Sequence, residues 1–338
     1  MSAETDIEPA VVPAARQPKF SAIITCHNYE NYVAQAILSV AHQTYRNFEC
    51  IILDDASTDN SAAVIAKTLK ALKDKRFSFV TLEKKAGQAL ASLEGLNRAS
   101  GIFVGFLDAD DWWEPDFIAI HVAAHLNTQV SVGITCSDVM LVNGQNELMA
   151  KTWNGFTRKR GTKNESLLKP GAYLPAPEVD DPAPQLRFHE QKYPAHWQFC
   201  PSSSLTYRRD LVESIFPRAK VAGMMNIDVV LAVVASTMTG WISIAKPLSA
   251  YRMHGKNLFS RNLFVGGRSW NSGEWTAADK ARLSRHMVDS LMENLPALQR
   301  SHETKFLLMA IIKVGSASKF YTAKALLKIA MKANSRKH

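Results

Sequence analysis

The feature that most constrains this chain is a rhythm. Short apolar runs at 20–25, 48–53, 77–82, 102–107 and 130–136 alternate with segments at 31–43, 59–72, 87–99 and 115–126. In the second set the apolar residues recur at helical spacing, as with Val33, Ile37, Leu38 and Val40. Pro115 stands where a first helical turn tolerates proline. Strands and helices that alternate one for one predict an α/β protein with a doubly wound, mostly parallel sheet.

The rhythm breaks at residue 151. Pro170, Pro175, Pro177, Pro182, Pro184 and Pro194 punctuate a stretch with few apolar runs, so 151–194 reads as a long irregular insertion. Order resumes near Trp197, with a helix expected at 226–237 and a strand at 241–245. From 276 onward the pattern is helical, with no strand signal and no internal repeat. Residues 1–18 hold Pro9, Pro13 and Pro18 and read as a flexible tail. The expected division is a tail at 1–18, a Rossmann-like domain at 19–255 and a helical, basic extension at 256–338.

Hydrophobic residues make up 46% and charged residues 21% of 338, which permits a large core and argues against global disorder. Cys26, Cys50, Cys136 and Cys200 form no CxxC pair, so neither a zinc site nor a disulfide framework is expected. The first three lie in apolar runs and read as buried thiols in a reducing, cytoplasmic compartment. No charged-then-apolar leader pattern and no stretch of about 18 apolar residues is present. The net charge is +9, and from Lys305 to the end there are eight Lys and Arg with no acid. Lys324, Lys328 and Lys332 share one helical face, with Phe320, Ala323, Leu327, Ala330 and Met331 largely on another. Such a tail suits an anionic surface, lipid or nucleic acid, and the alternative is a solvated helical cap on the catalytic domain. The rest of the chain has no basic patch interleaved with aromatics, so no nucleic-acid partner is expected.

In open α/β sheets ligands bind beyond the carboxyl ends of the strands. After the first strand, TCHNYENY offers Thr25, His27 and Asn28 to a ligand, although Asn28 or Asn31 also serves as a helix cap. After the second, Asp54 and Asp55 can accept hydrogen bonds from a base or ribose, and Asp59 starts a helix. After the fourth, FLDADDWWEPD crowds Asp108, Asp110 and Asp111 into four residues. Capping the helix at Pro115 explains one of these acids, not three. A hard divalent cation, Mn²⁺ or Mg²⁺, relieves their repulsion and can hold a diphosphate. The chain has neither a GxxxxGK[ST] loop nor GxGxxG, which weighs against ATPases and nicotinamide enzymes.

These segments resemble the inverting family 2 glycosyltransferases of the GT-A fold. The resemblance rests on FSAIITCHNYENYVAQAILSVAHQTYRNFECIILDDASTDNS, GQALASLEGLNRASG and FVGFLDADDWWEPD, in that order. It implies that Thr25, Asn28, Asp54 and Asp55 lie against the nucleotide, with Asp55 reading the base. Gly87 and Gln88 would approach the sugar-nucleotide. Asp108 and Asp110 would form the DxD pair, with Asp110 the direct metal ligand and Asp111 beside it. Leu93 stands where many relatives carry Asn. FCPSSSLTYRRDL resembles the acceptor-side strand, and GMMNIDVVLAVV the helix that carries the catalytic base, here Asp228. Ile227 replaces the Glu that many relatives place before it. PLSAYRMHGKN resembles the closing segment, which would bring His254, as a metal ligand, and Arg252, on the nucleotide-sugar, to the metal or diphosphate.

Inversion at an anomeric carbon is one in-line displacement. It requires a base for the acceptor hydroxyl and an electrophile for the departing diphosphate. His189 and His196 are rival bases, and Trp112 or Trp113 would stack on a sugar or simply fill the core. The expected activity is transfer from a nucleotide-sugar, a UDP-sugar, to a glycan or lipid-linked acceptor in cell-surface polysaccharide synthesis. The insertion would form the acceptor side, and the basic helices would dock on the inner membrane face. The alternatives are a sugar-nucleotide nucleotidyltransferase, which normally opens with a Gly-rich basic loop, and a non-catalytic nucleotide-sugar-binding module.

Overall fold

The computed structural model describes residues 17–127, 131–153, 184, 186–189, 199–219, 221, 224, 226–255, 257, 276–300 and 302–334. Most of the expected tail and insertion, and His196, lie outside them.

The first half follows the rhythm: β1 (Phe20–Cys26), α1 (Val33–Ala41), β2 (Phe48–Asp54), α2 (Ser61–Leu72), β3 (Phe77–Thr81), α3 (Gln88–Arg98) and β4 (Phe103–Asp108). Strand β1 is buried along its whole length because helices cover both faces of the sheet. Its Ile23 joins an apolar cluster with Leu53, Ala91 and Leu96, while Phe20, Ala22 and Ile24 join a second with Val33, Ile37 and Val40. Helix α3 lies so close to β1 that a Cβ at Gly95 would stand 2.4 Å from Ile23 Cγ2.

The remaining elements are β5 (Trp112–Trp113), α4 (Phe117–Leu126), β6 (Ile134–Asn143), β7 (Leu148–Ala150), β8 (Leu186–His189), β9 (Leu205–Arg208), α5 (Arg209–Ile215), α6 (Ile227–Thr239) and β10 (Trp241–Met253). The sheet order is β3-β2-β1-β4-β9-β6-β10-β5, with β7 beside β6 and β8 beside β10. From β3 to β4 all pairs are parallel, but β9 enters antiparallel to both β4 and β6. A strand at 130–136 that simply extends the parallel series is therefore replaced by one that starts at Ile134 and pairs β9. The one-for-one rhythm ends there, so the crossover rule no longer fixes direction. Strand β10 outruns the expected 241–245 because its register against β6 shifts on either side of Pro247. The irregularity absorbs a residue that cannot donate to the ladder.

The extension forms α7 (Ala277–Glu293), α8 (Leu295–Leu298), α9 (Thr304–Val314) and α10 (Lys319–Asn334). Thr276 and Asp279 close a capping box at the start of α7. Met287, Leu291, Leu307 and Ile311 share one buried cluster with Val230 and Leu231 of α6. Asn294 Nδ2 donates to the Phe216 carbonyl at 3.2 Å, and Ser290 Oγ to that of Ile215. The extension thus completes the core that α6 begins. All four cysteines are buried and outside any disulfide. Among the described residues no single helix is long and apolar enough to cross a membrane.

Candidate active site

Parallel pairing sets the carboxyl ends of β1, β2 and β4 side by side. Thr25 is in register with Leu53 and Asp108, and Cys26 with Asp54. Residues distant in sequence thereby meet at one sheet edge.

The loops behind this edge are pinned to each other. Asn28, at φ 61, accepts from the Thr58 N–H at 2.8 Å, and its own N–H donates to Ser57 Oγ at 2.9 Å. Asp54 is 1% exposed; its Oδ2 accepts from the Ser57 N–H at 3.2 Å. Both residues, expected against the nucleotide, also fasten the loop after β2, and Asp54 Oδ1 is buried with no hydrogen-bond partner among the described residues. Asp55 accepts from the N–H groups of Ala86 and Gly87 at 2.6 and 2.8 Å. Gly87 sits at φ 90 at the start of α3, a conformation that L side chains rarely adopt. Asp55 therefore positions the loop that aims Gln88. Thr25 is nearly buried at the end of β1.

The acidic turn after β4 is built from three directions. Gln88 Nε2 donates to Asp108 Oδ1 at 2.8 Å, and Ser202 Oγ to Asp108 Oδ2 at 2.5 Å. Ser203 Oγ donates to Asp111 Oδ2 at 2.6 Å and accepts from the Asp108 N–H at 3.2 Å. The Arg252 N–H donates to Asp111 Oδ1 at 2.9 Å, and Arg252 Nε to the Asp110 carbonyl at 2.7 Å. Arg252 is 1% exposed, its guanidinium also held by Gln35 at 2.7 Å and by Asn146. This arginine braces the turn through its backbone N–H and its guanidinium together. Asp111, like Asp108, accepts from protein donors on both oxygens, but at 1% exposure it lies deeper than the half-buried Asp108.

Asp110 and His254 differ. His254 Nε2 lies 2.9 Å from Asp110 Oδ2. The imidazole stacks on Tyr32 at 5.1 Å and meets the edge of Tyr29 at 5.9 Å. Burial first, then the charge of Asp110, pushes the Asp108 carboxyl up to about 7, against the hydrogen bonds from Ser202 and Gln88. Burial and the charges of Asp110 and Asp108 raise Asp111 as well. Burial and the same three aspartates raise the Tyr29 phenol. The turn is a negative cluster whose members compete to remain ionised, and a cation relieves that competition. Asp110, His254 and Asp108 supply suitable oxygen and imidazole donors. Among the described residues no three acid, His or Cys side chains close on a metal by themselves. An ion of the Mg²⁺ class normally takes one or two carboxylates and completes its shell with phosphate and water.

Asp228 stands in the first turn of α6, half-buried. Its charge is felt at Asp108, which it raises, and at the Tyr207 phenol. Burial raises its own carboxyl, opposed by backbone N–H groups. His189 lies elsewhere, 2.8 Å from Ser243 Oγ and stacked on Trp241 at 4.0 Å. Trp113 is core, stacked on Phe117 at 4.1 Å with its Nε1 donating to the Ser203 carbonyl at 2.7 Å. Trp112 is half-buried, under the Arg252 guanidinium at 5.0 Å.

Sequence reasoning missed Ser202, Ser203, Tyr29, Tyr32, Gln35 and Asn146. The run of three serines at 202–204 was the one visible signal, since hydroxyls opposite buried acids imply donation.

The sequence profile of Glycosyl transferase family 2 matches residues 21–216, from β1 through α5. The chain belongs to that family. The profile match ends before Asp228, Arg252 and His254. This family 2 protein is 28% identical over 239 residues to an uncharacterized glycosyltransferase of Nostoc, covering 71% of this chain and 66% of that one. It is 33% identical over 111 residues to an Escherichia coli UDP-Glc:alpha-D-GlcNAc-diphosphoundecaprenol beta-1,3-glucosyltransferase, 33% of this chain and 42% of the other. A Bacillus subtilis protein, a putative teichuronic acid biosynthesis glycosyltransferase by its given name, is 31% identical over 128 residues, 38% and 50% of the two chains. The aligned stretch thus spans less than two-thirds of each of these relatives. Among solved structures, Staphylococcus aureus TarS in complex with UDP-GlcNAc superposes with a TM-score of 0.52 at 14% identity, covering 88% of this chain and 81% of that one. That likeness is one of fold.

Proposed function

We propose that this protein is an inverting, metal-dependent glycosyltransferase that moves a sugar from a UDP-sugar to a hydroxyl of a lipid-linked or growing glycan. The observation that carries the reading is the shared field of the acidic turn and Asp228: one end of the sheet presents a cation-demanding cluster and a carboxylate raised by burial.

In this scheme the acceptor oxygen attacks the anomeric carbon as its bond to the diphosphate breaks. Asp228 takes the proton from that oxygen, and burial, by raising its carboxyl, makes it a stronger base than an exposed aspartate. When bound, Mn²⁺ or Mg²⁺ neutralises charge on the leaving diphosphate. Asp110, His254 and Asp108 would hold it. Gln88 and Ser202 orient Asp108, while Arg252 and Ser203 keep the turn from splaying. The nucleotide base would lie beside Thr25 and Asp55, at the carboxyl ends of β1 and β2.

The donor and acceptor classes take support from the Escherichia coli relative, whose name specifies a UDP-sugar and a diphosphoundecaprenol-linked acceptor. The Bacillus relative's name supports cell-surface polysaccharide synthesis. A lipid-linked acceptor places the protein peripherally on the inner, cytoplasmic membrane face. The absence of a Gly-rich basic loop after β1 keeps a nucleotidyltransferase second. A panel of nucleotide-sugars with Mn²⁺ is the test, reading free nucleotide released. We expect release from UDP-sugars that falls about a hundredfold or more in Asp110→Ala. Release that is unaltered by this change overturns the metal assignment, and no release from any donor overturns the activity.

A further inference from the structure

Helices α9 and α10 each leave an apolar stripe uncovered. On α9, Met309 and Ile312 are 48% and 47% exposed, one turn apart. Lys305 and Lys313 lie four residues to either side of Met309. On α10, Phe320 and Leu327 are 80% and 61% exposed, two turns apart. Lys324 stands between them with its ammonium 5.8 Å from the Phe320 ring. The opposite faces are spent: Leu307, Ala310, Ile311 and Val314 of α9, and Ala325 and Ile329 of α10, are buried in the core shared with α6. The two helices meet at a bend of 72°.

Exposed large apolar side chains interleaved with lysine ask for a partner that is greasy and negatively charged at once. From Lys305 to the end the chain carries eight basic residues and no acid. An anionic bilayer surface supplies both: headgroups for the lysines and an acyl boundary for Phe320, Leu327, Met309 and Ile312. A second protein would have to match the same charge excess over two differently directed stripes. We propose that α9 and α10 form an interfacial membrane-docking surface that takes anionic lipid. It rests on the reading of a lipid-linked acceptor only in its purpose. Helix α9 packs on α6, and the first turn of α6 carries Asp228, so docking sets the acceptor-side helix at a fixed height over the bilayer. From Asp228 to Thr237, beside Lys305 and Met309, the rise along α6 is about 14 Å.

The test is co-sedimentation of the full chain with vesicles of phosphatidylglycerol and phosphatidylcholine against phosphatidylcholine alone, at low and high salt. We expect binding to the anionic vesicles only, weakened by salt. Each lysine near such a surface is worth roughly fivefold in partitioning, so K305E/K313E/K319E/K324E should lower it by more than about a hundredfold. F320S/L327S, which changes two exposed side chains, should weaken binding at both salt concentrations. Donor hydrolysis in solution should be unchanged in both variants, which separates docking from the catalytic reading. Equal binding to neutral vesicles, binding that both variants retain, or retention on nucleic acid without vesicle binding overturns the proposal.

Discussion

At the scale of single residues, the acidic turn holds its carboxylates at different depths: Asp111 is 1% exposed, Asp108 half-buried. Asp228→Asn should retain UDP-sugar binding, measured by titration, and lower kcat by about 10² to 10⁴-fold. Because burial raises Asp228, the acid limb of kcat should lie above the ordinary carboxylate range, with activity rising as pH passes upward through it. Ser203→Ala removes the hydroxyl shared by Asp111 and the Asp108 N–H. It should cost about 1–3 kcal/mol of stability, read by denaturant unfolding, and raise the Mn²⁺ concentration for half-activity. The spacing of Asp108, Asp110 and Asp111 was legible because like charges in one turn are unusual by themselves. The division of labour among them was not, since it depends on donors at 202, 203 and 252 that only folding brings near. For the same reason the bracing contacts of Arg252 were not legible: its partners Gln35 and Asn146 are more than a hundred residues away in sequence.

At the scale of elements, β1 depends on two close approaches. Gly95→Ala drives a Cβ into Ile23 and should cost about 1–3 kcal/mol. Thermal unfolding checks it, with donor affinity little changed. Glu49 of β2 accepts from Lys19, Ser21 and Ser100, tying the start of β1 to the turn before β4. Burial alone would raise its carboxyl, but those donors outweigh it and pull the group down to about 2. A folded value below the unfolded one stabilises above the unfolded value of 4.5. That stability is lost as pH falls from there toward about 2. Glu49→Gln should therefore cost about 2 kcal/mol at pH 7 and little at pH 2. The alternation of strands and helices was readable because periods of 2 and 3.6 write themselves into any amphipathic element. The antiparallel entry of β9 was not, since direction is set by a tertiary return that leaves no local period.

At the scale of the whole molecule, two apolar clusters lie on either side of one sheet, and the terminal helices complete one of them. Composition foretold a basic tail; it could not show that half of that tail's apolar face is consumed in the core. The order of assembly follows from where β9 lies. The strand at 205–208 fits between β4 at 103–108 and β6 at 134–143, so the gap it fills opens early and closes about a hundred residues later. During synthesis, the aspartates leave the ribosome well before the serines at 202 and 203 that steady them. Until those arrive, a nascent chain holds three crowded negative charges with no hydroxyl to share them, and the sheet remains two unjoined halves. A ribosome stalled before residue 199 should thus display a cleft that is present in sequence and missing in shape.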